Sequence, residues 1–135
     1  LIRIVISRTA RVHVAITCNG EILLVKNWLA RDTWRMPGGG VHRNESPKDA
    51  AVREVYEELG IKLDSNKLVA LDGGRMSVDK LGYRYESFAY KLDKLPGLVI
   101  DVLEILDHGM FKQLPPDTQP GVDLVVARLK EERLL

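Results

Sequence analysis

Cysteine is nearly absent from this chain: Cys18 is the only one among 135 residues. An intrachain disulfide cannot form, and a metal site built from several thiolates is excluded. Cys18 follows the strand-like run Ala15-Ile16-Thr17, so a buried, inert thiol is expected rather than a nucleophile. Net charge is lacking as well. Twenty basic and nineteen acidic side chains leave +1, which gives no reason to expect bulk binding to nucleic acid or to an anionic membrane. No apolar run approaches the roughly 20 residues that span a bilayer. Leu1–Ile6 is apolar but too short for a signal peptide and has no small-residue cleavage site, so the cytoplasm is the default compartment. There is no internal repeat, low-complexity tract or long linker. The three histidines, His13, His42 and His108, show no metal-ligand spacing and are read as strand, loop and strand-edge residues.

What is present is an ordinary globular mixture, 45% hydrophobic and 29% charged, of a length that suits one domain over residues 1–135. Val12–Thr17 and Ile22–Lys26 are β-rich runs separated by Asn19-Gly20-Glu21, a strong hairpin signal. Trp34-Arg35-Met36 is a short extended piece that halts at Pro37 and three glycines. A helix then starts with Ser46 as cap, Pro47 at its first position and Asp49 at the capping-box position. It is expected to run to Leu59 and stop at Gly60. Strands are expected at Leu68–Leu71, Tyr83–Leu92 and near Met110-Phe111. A second helix over Val122–Arg133 has Val122, Val125, Val126 and Leu129 on one face. Strands and helices alternate without regular βαβ units, which predicts a mixed β-sheet covered by helices on both faces.

The first helix carries the chemistry. On a wheel, Val52, Val55, Tyr56 and Leu59 form an apolar stripe expected to dock on the core. Glu54, Glu57 and Glu58 lie on the opposite side, within about 100° of one another. Glu54 and Glu58 are a like-charged i,i+4 pair, which costs roughly 0.2–0.5 kcal/mol. Glu57 and Glu58 also sit in the last turn, where the helix dipole disfavours anions. One neighbour, Arg53, cannot neutralise three carboxylates. A solvated acidic face is the ordinary reading of such a helix, but the flanking glycine turn argues for a hard divalent cation, Mg²⁺ or Mn²⁺, which also binds phosphate oxygens.

From Gly39 the chain reads five residues, Glu45, seven residues, and then Arg53-Glu54-Val55-Tyr56-Glu57-Glu58-Leu59-Gly60-Ile61. This run resembles the Nudix hydrolase (MutT-like) signature at every specified position, a match whose chance probability is on the order of 10⁻⁸. The lead-in Trp34…Pro37-Gly38-Gly39 is similar to the family too. The resemblance implies an α/β/α sandwich in which the signature forms a loop–helix–loop. It also implies hydrolysis of a phosphoanhydride bond in a nucleoside diphosphate linked to another moiety. By position, Glu54, Glu57 and Glu58 correspond to the family's metal-binding glutamates, and the Gly38 carbonyl commonly adds a ligand. Arg53 and Glu45 correspond to a pair that holds the metal-binding face in shape. Glu104 resembles a late acidic position of the family, with Asp101 and Asp107 as rivals. Asn44 departs from the glycine frequent there, but asparagine tolerates positive φ.

The expected chemistry is metal-assisted, with two or three ions shared between the glutamates and the substrate phosphates. Glu54 is the first candidate for proton acceptor and Glu104 the second. Gly39, Gly40, Arg35 and Tyr85 are candidates for substrate contact. Trp28, Tyr83, Tyr85 and Phe88 could stack on a base, though ordinary packing is the expectation for each, and Trp34 reads as core beside the signature. Arg31, Arg75 and Arg84 are further phosphate candidates, with a solvated arginine expected at each. Met76 and Ser77–Asp79 lack the markers of ADP-ribose and dinucleoside polyphosphate enzymes. The substrates expected are small nucleotides, (deoxy)nucleoside triphosphates or nucleotide sugars. The competing readings are a nucleotide sensor without turnover and removal of pyrophosphate from RNA 5′ ends. A homodimer is left open.

Overall fold

The computed structural model describes residues 10–71, 77–78 and 84–135, with backbone alone at 77, 78 and 84. The expectations at Leu1–Ile6, Arg75, Met76, Asp79 and Tyr83, and at the side chains of Ser77, Val78 and Arg84, lie outside the described residues. Strand β1 (Ala10–Cys18) turns at Asn19-Gly20 into β2 (Glu21–Asn27). Both turn residues have positive φ, 51° and 79°, the requirement of a type I′ hairpin and the reason Asn-Gly sits there. Three residues, Gly38–Gly40, make β3. Helix α1 (Pro47–Leu59) begins where Ser46 accepts a hydrogen bond from the Asp49 amide and ends at left-handed Gly60. Then come β4 (Val69–Ala70), β5 (Ser77–Val78), β6 (Arg84–Leu92), β7 (Ile105–Phe111) and helix α2 (Val122–Glu131). The last strand is longer than the two-residue piece expected from Met110-Phe111.

These strands form one mixed sheet in the order β4-β6-β1-β2-β7, with β5 on β6 and β3 on β1. The β1–β6 pairing is parallel and runs the whole strand, from Ala10 opposite Arg84 to Cys18 opposite Leu92. The other edge of β1 is divided. Thr17 and Cys18 pair with β2, whereas Arg11, Val12 and His13 pair with the glycines of β3. On its other edge β2 pairs with β7 from Ile22 to Asn27, and the segment leading into β3 is bonded to both strands, Arg35 to Val25 of β2 and the Pro37 carbonyl to the Val14 amide of β1.

Alternation along the strands sends successive side chains to opposite faces. Val12, Val14, Ile16, Leu23, Val25 and Phe88 meet Val55 and Leu59 of α1 on one face. Ala15, Ile22, Leu24 and Ala89 meet Val122 and Leu129 of α2 on the other. A sheet covered twice requires near-continuous apolar strands, which explains Ile22-Leu23-Leu24-Val25. The result is the expected α/β/α sandwich. Cys18 is buried, as anticipated.

Three expectations are corrected. Tyr56 is half exposed, outside the docking stripe, with the Lys62 ammonium 5.8 Å from its ring centre. The carboxylate side of α1 does not face away from the core, since Glu54 and Glu58 are 8% and 3% exposed. The wheel counted only large apolar groups. Ala50 and Ala51, both fully buried, let the helix lie close against the sheet and its glycine strand, drawing the two glutamates inward. Trp34 packs edge-to-face on Phe111, ring centres 4.8 Å apart, in the core of the α2 face rather than beside α1.

Candidate active site

The site is assembled where β3, the second half of α1 and the loop before β7 converge. Gly38 and Gly39 make the convergence sterically feasible. Gly38 has φ +155°, and a Cβ there would run into the Val12 carbonyl; a Cβ on Gly39 would collide with the Glu54 carboxylate. Only glycine lets this strand pass between β1 and the buried acids. The Gly38 amide donates to Glu58 Oε1 at 2.9 Å.

Arg53 is the organiser. Its Nε donates to Glu45 Oε2 at 2.8 Å and its Nη2 to Glu45 Oε1 at 3.0 Å, a bidentate pair of the strong charge-assisted kind. The same Nη2 donates to the Gly40 carbonyl at 2.8 Å, while Nη1 reaches Glu54 Oε1 at 3.0 Å and Glu57 Oε2 at 3.2 Å. One guanidinium thus ties loop, β3 and helix together. The hydrogen bonds from Arg53 hold the Glu45 carboxyl down to about 2, and Glu45 in turn raises the Arg53 pKa. Glu45 also accepts from the His42 amide at 3.0 Å. Asn44 takes φ +65° in this turn, so it adopts the conformation expected where glycine is common.

Glu54, Glu58 and Glu104 each offer a carboxylate oxygen to a point at which those oxygens lie within 4.8 Å of one another. Burial lifts the Glu58 carboxyl to about 8, against the Gly38 hydrogen bond that lowers it, and Glu104, Glu54 and Glu57 add repulsion. Burial and then Glu54 and Asp101 raise Glu104 as well. An ion-free molecule therefore holds these acids together at an electrostatic cost that a divalent cation would relieve. All donors are hard oxygens, the set that suits Mg²⁺ or Mn²⁺. Glu57 lies outside this group of three, half exposed at 49% and turned to Arg53.

Glu104 owes its place to a clamped loop. The Asp101 amide donates to the Glu58 carbonyl at 3.0 Å and the Val99 amide to that of Leu59 at 2.9 Å, while the Asp101 carbonyl accepts from Glu104 and Ile105. The Asp101 carboxylate accepts from the Leu103 amide and the Asp107 carboxylate from the His108 amide. The carboxylates of the two rivals to Glu104 thus accept from neighbouring backbone amides, Asp101 in the loop and Asp107 within β7.

Beside the acids opens a cleft of about 320 Å³, lined by Arg11, His13, Arg35, Tyr85 and Glu58 and rimmed by Trp28, Leu29 and Leu103. The Tyr85 ring stacks on His13 at 4.5 Å. Burial lowers the Arg35 pKa, and its Nε–H is buried without a hydrogen-bond acceptor among the described residues. His13 is a strand residue, as expected, and it also lines the cleft; Trp28, given to ordinary packing on sequence, is instead 52% exposed at the rim. Period-two alternation could have put His13, Arg11 and Arg35 on common walls, but not beside the acids. Phe88 is core, as expected, and Arg31 is exposed.

Residues 7–107 match the family model of the NUDIX domain. The chain belongs to the Nudix family. Its architecture agrees with a MutT NUDIX hydrolase from Burkholderia pseudomallei, with a TM-score of 0.72 and 25% identity, over 90% of this chain and 97% of that one. A NUDIX-family hydrolase from Clostridium perfringens superposes with a TM-score of 0.75 at 18% identity, over 95% and 99%, a likeness of fold. In sequence, diphosphoinositol polyphosphate phosphohydrolase 3-alpha of Mus musculus is 47% identical over 51 residues, 38% of this chain and 31% of that protein. The chain thus spans under a third of that relative's length, and what it shares with the family is the Nudix domain itself. No helix among its described residues is long and apolar enough to cross a membrane.

Proposed function

We propose that this Nudix hydrolase cleaves a phosphoanhydride bond in a nucleoside diphosphate derivative, with (deoxy)nucleoside triphosphates or nucleotide sugars as substrates and Mg²⁺ or Mn²⁺ as cofactor. The observation that carries this reading is the meeting of Glu54, Glu58 and Glu104 beside a cleft into which a partly buried arginine projects. Glu54, Glu58 and Glu104, with the Gly38 carbonyl, would hold the ions, and Glu57 on the open side would join them when phosphate is bound. Bound divalent ions supply Lewis acidity to the phosphate oxygens and lower the pKa of water.

The chain's own residues do the rest. Arg53 and Glu45 keep the loop and helix in register, so that the acids are preorganised before substrate arrives. Arg35, on the wall of the cleft, offers its charge to a phosphate oxygen, which would offset the cost of a half-buried cation. The glycine backbone at 39 and 40 admits the diphosphate close to the acids. Tyr85, stacked on His13, and Trp28 give flat walls to the moiety beyond the phosphates. Glu104, exposed at the edge of the cleft, accepts the proton of the attacking water through the carboxylate oxygen that no ion engages. Glu54 was the first candidate on sequence, but its salt bridge to Arg53 at 3.0 Å favours the role of a fixed ligand.

The test is a substrate panel of nucleoside triphosphates, nucleotide sugars, dinucleoside polyphosphates, diphosphoinositol polyphosphate and triphosphorylated RNA, each with Mg²⁺ or Mn²⁺. Release of nucleoside monophosphate, with pyrophosphate or a phosphorylated partner, is expected. Glu54→Gln should lower it by orders of magnitude. Binding of nucleotide without turnover of any compound would replace the enzyme reading with that of a sensor.

A further inference from the structure

Trp28 directly follows β2 and opens a short 3-10 turn (Trp28–Ala30) fixed by Asn27, whose side-chain oxygen accepts from the Ala30 amide at 2.9 Å. From there the indole Nε1–H donates to the Val102 carbonyl at 3.2 Å. The Trp28 backbone amide donates, at a longer 3.4 Å, to the carbonyl of Glu104 itself. The loop that presents Glu104 is therefore held from two sides. The α1 end grips it through Asp101 and Val99, and Trp28 grips it at Val102 and Glu104. Between these grips, Val102, Leu103 and Glu104 are exposed, Leu103 at 89%, so side-chain burial does little to fix them. A half-exposed tryptophan with a hydrogen bond to a loop carbonyl is poorly explained by core packing. It costs ordering entropy and leaves apolar area in water.

We propose that Trp28 is a positioning residue: its two N–H groups hold the 101–104 loop at the depth where Glu104 meets Glu54 and Glu58. Trp28 also lines the cleft, so a substrate moiety resting on the indole tightens the same strut, and occupancy of the cleft is coupled to the placement of Glu104. The coupling rests on the reading of Glu104 as part of the site, whereas the strut itself does not.

Trp28→Phe tests it, because it keeps an apolar ring and removes only the indole donor. The first readout, amide hydrogen exchange in the ion-free and substrate-free protein, needs no activity. Exchange at Leu103 and Glu104 is expected to quicken about tenfold in the variant, with β1 and α1 amides unchanged. The second is Mn²⁺ binding without nucleotide, expected to weaken about fivefold. The third is the kinetic split: kcat should fall while KM for nucleotide moves less than twofold. Unchanged exchange at those two amides overturns the strut. A raised KM with kcat and Mn²⁺ binding both intact overturns the coupling, because Trp28 would then act on the substrate as a cleft wall alone. If Glu104→Gln binds Mn²⁺ as wild type does, Glu104 leaves the proposed site and the coupling falls, while exchange still decides whether Trp28 holds the loop.

Discussion

Glu58 is the residue on which burial and charge conflict most. It is 3% exposed, takes one hydrogen bond from Gly38 and faces Glu104, Glu54 and Glu57. In the ion-free protein its carboxyl, raised to about 8 from 4.5, keeps a proton that the unfolded chain has lost. The folded state then binds more protons than the unfolded state between those values. Stability should fall as pH rises from about 4.5 to about 8 and level off above. Melting temperature against pH, recorded with a chelator, is expected to show that decline, and Glu58→Gln should flatten it while abolishing turnover. Gly39 gives a second prediction. Gly39→Ala sets a methyl against the Glu54 carboxylate, so activity is expected to drop about a hundredfold or more, with circular dichroism close to wild type; full activity would show that the strand can retreat.

Helix α1 and the loop before it behave as one element because Arg53 spans them. Removing its bidentate bond to Glu45 should cost on the order of 2 kcal/mol, measured as a shift in the urea midpoint of Arg53→Ala. Arg53→Lys should fail to restore it, because an ammonium cannot present the fork. The Glu45 carboxyl is held down to about 2, so this contribution is present in full above about 4.5 and is lost as pH falls through about 2. Much of this element could be read in the sequence: the Ser46 cap, the stop at Gly60 and the tolerance of Asn44 for positive φ follow from local chemistry, while the Arg53–Glu45 pair was implied by the resemblance to the Nudix signature. The orientation of α1 could not. Ala50 and Ala51 add almost nothing to an apolar stripe, yet their small size sets how deeply Glu54 and Glu58 sink. The places of Trp28 and His13 at the cleft were hidden for a similar reason, since they depend on how β1 divides its edge between β2 and β3, whereas Arg35 was a candidate for substrate contact from the sequence.

At the scale of the whole molecule, the sheet separates two cores with different duties. The core under α1 backs the acids, and the one under α2 holds Leu129 fully buried against Ile22 and Leu24. Leu129→Ala should cost roughly 2–5 kcal/mol and leave KM and kcat near wild type at temperatures where the protein stays folded; a large kinetic change would show that the α2 face bears on the site. The layered architecture was legible because both sets of helix and strand periods are strong, whereas the division of β1 between two partners leaves no local mark. The parallel ladder between β1 and β6 joins segments roughly seventy residues apart in the chain, a long loop to close before any of its bonds can form. The hairpin, the glycine strand and the acid-bearing helix all lie inside that loop. On the ribosome, then, the helix can wind early, but the pocket it serves has no back wall until the tenth decade of residues has emerged, and a chain stalled short of that point displays bare glutamates with nothing to grip.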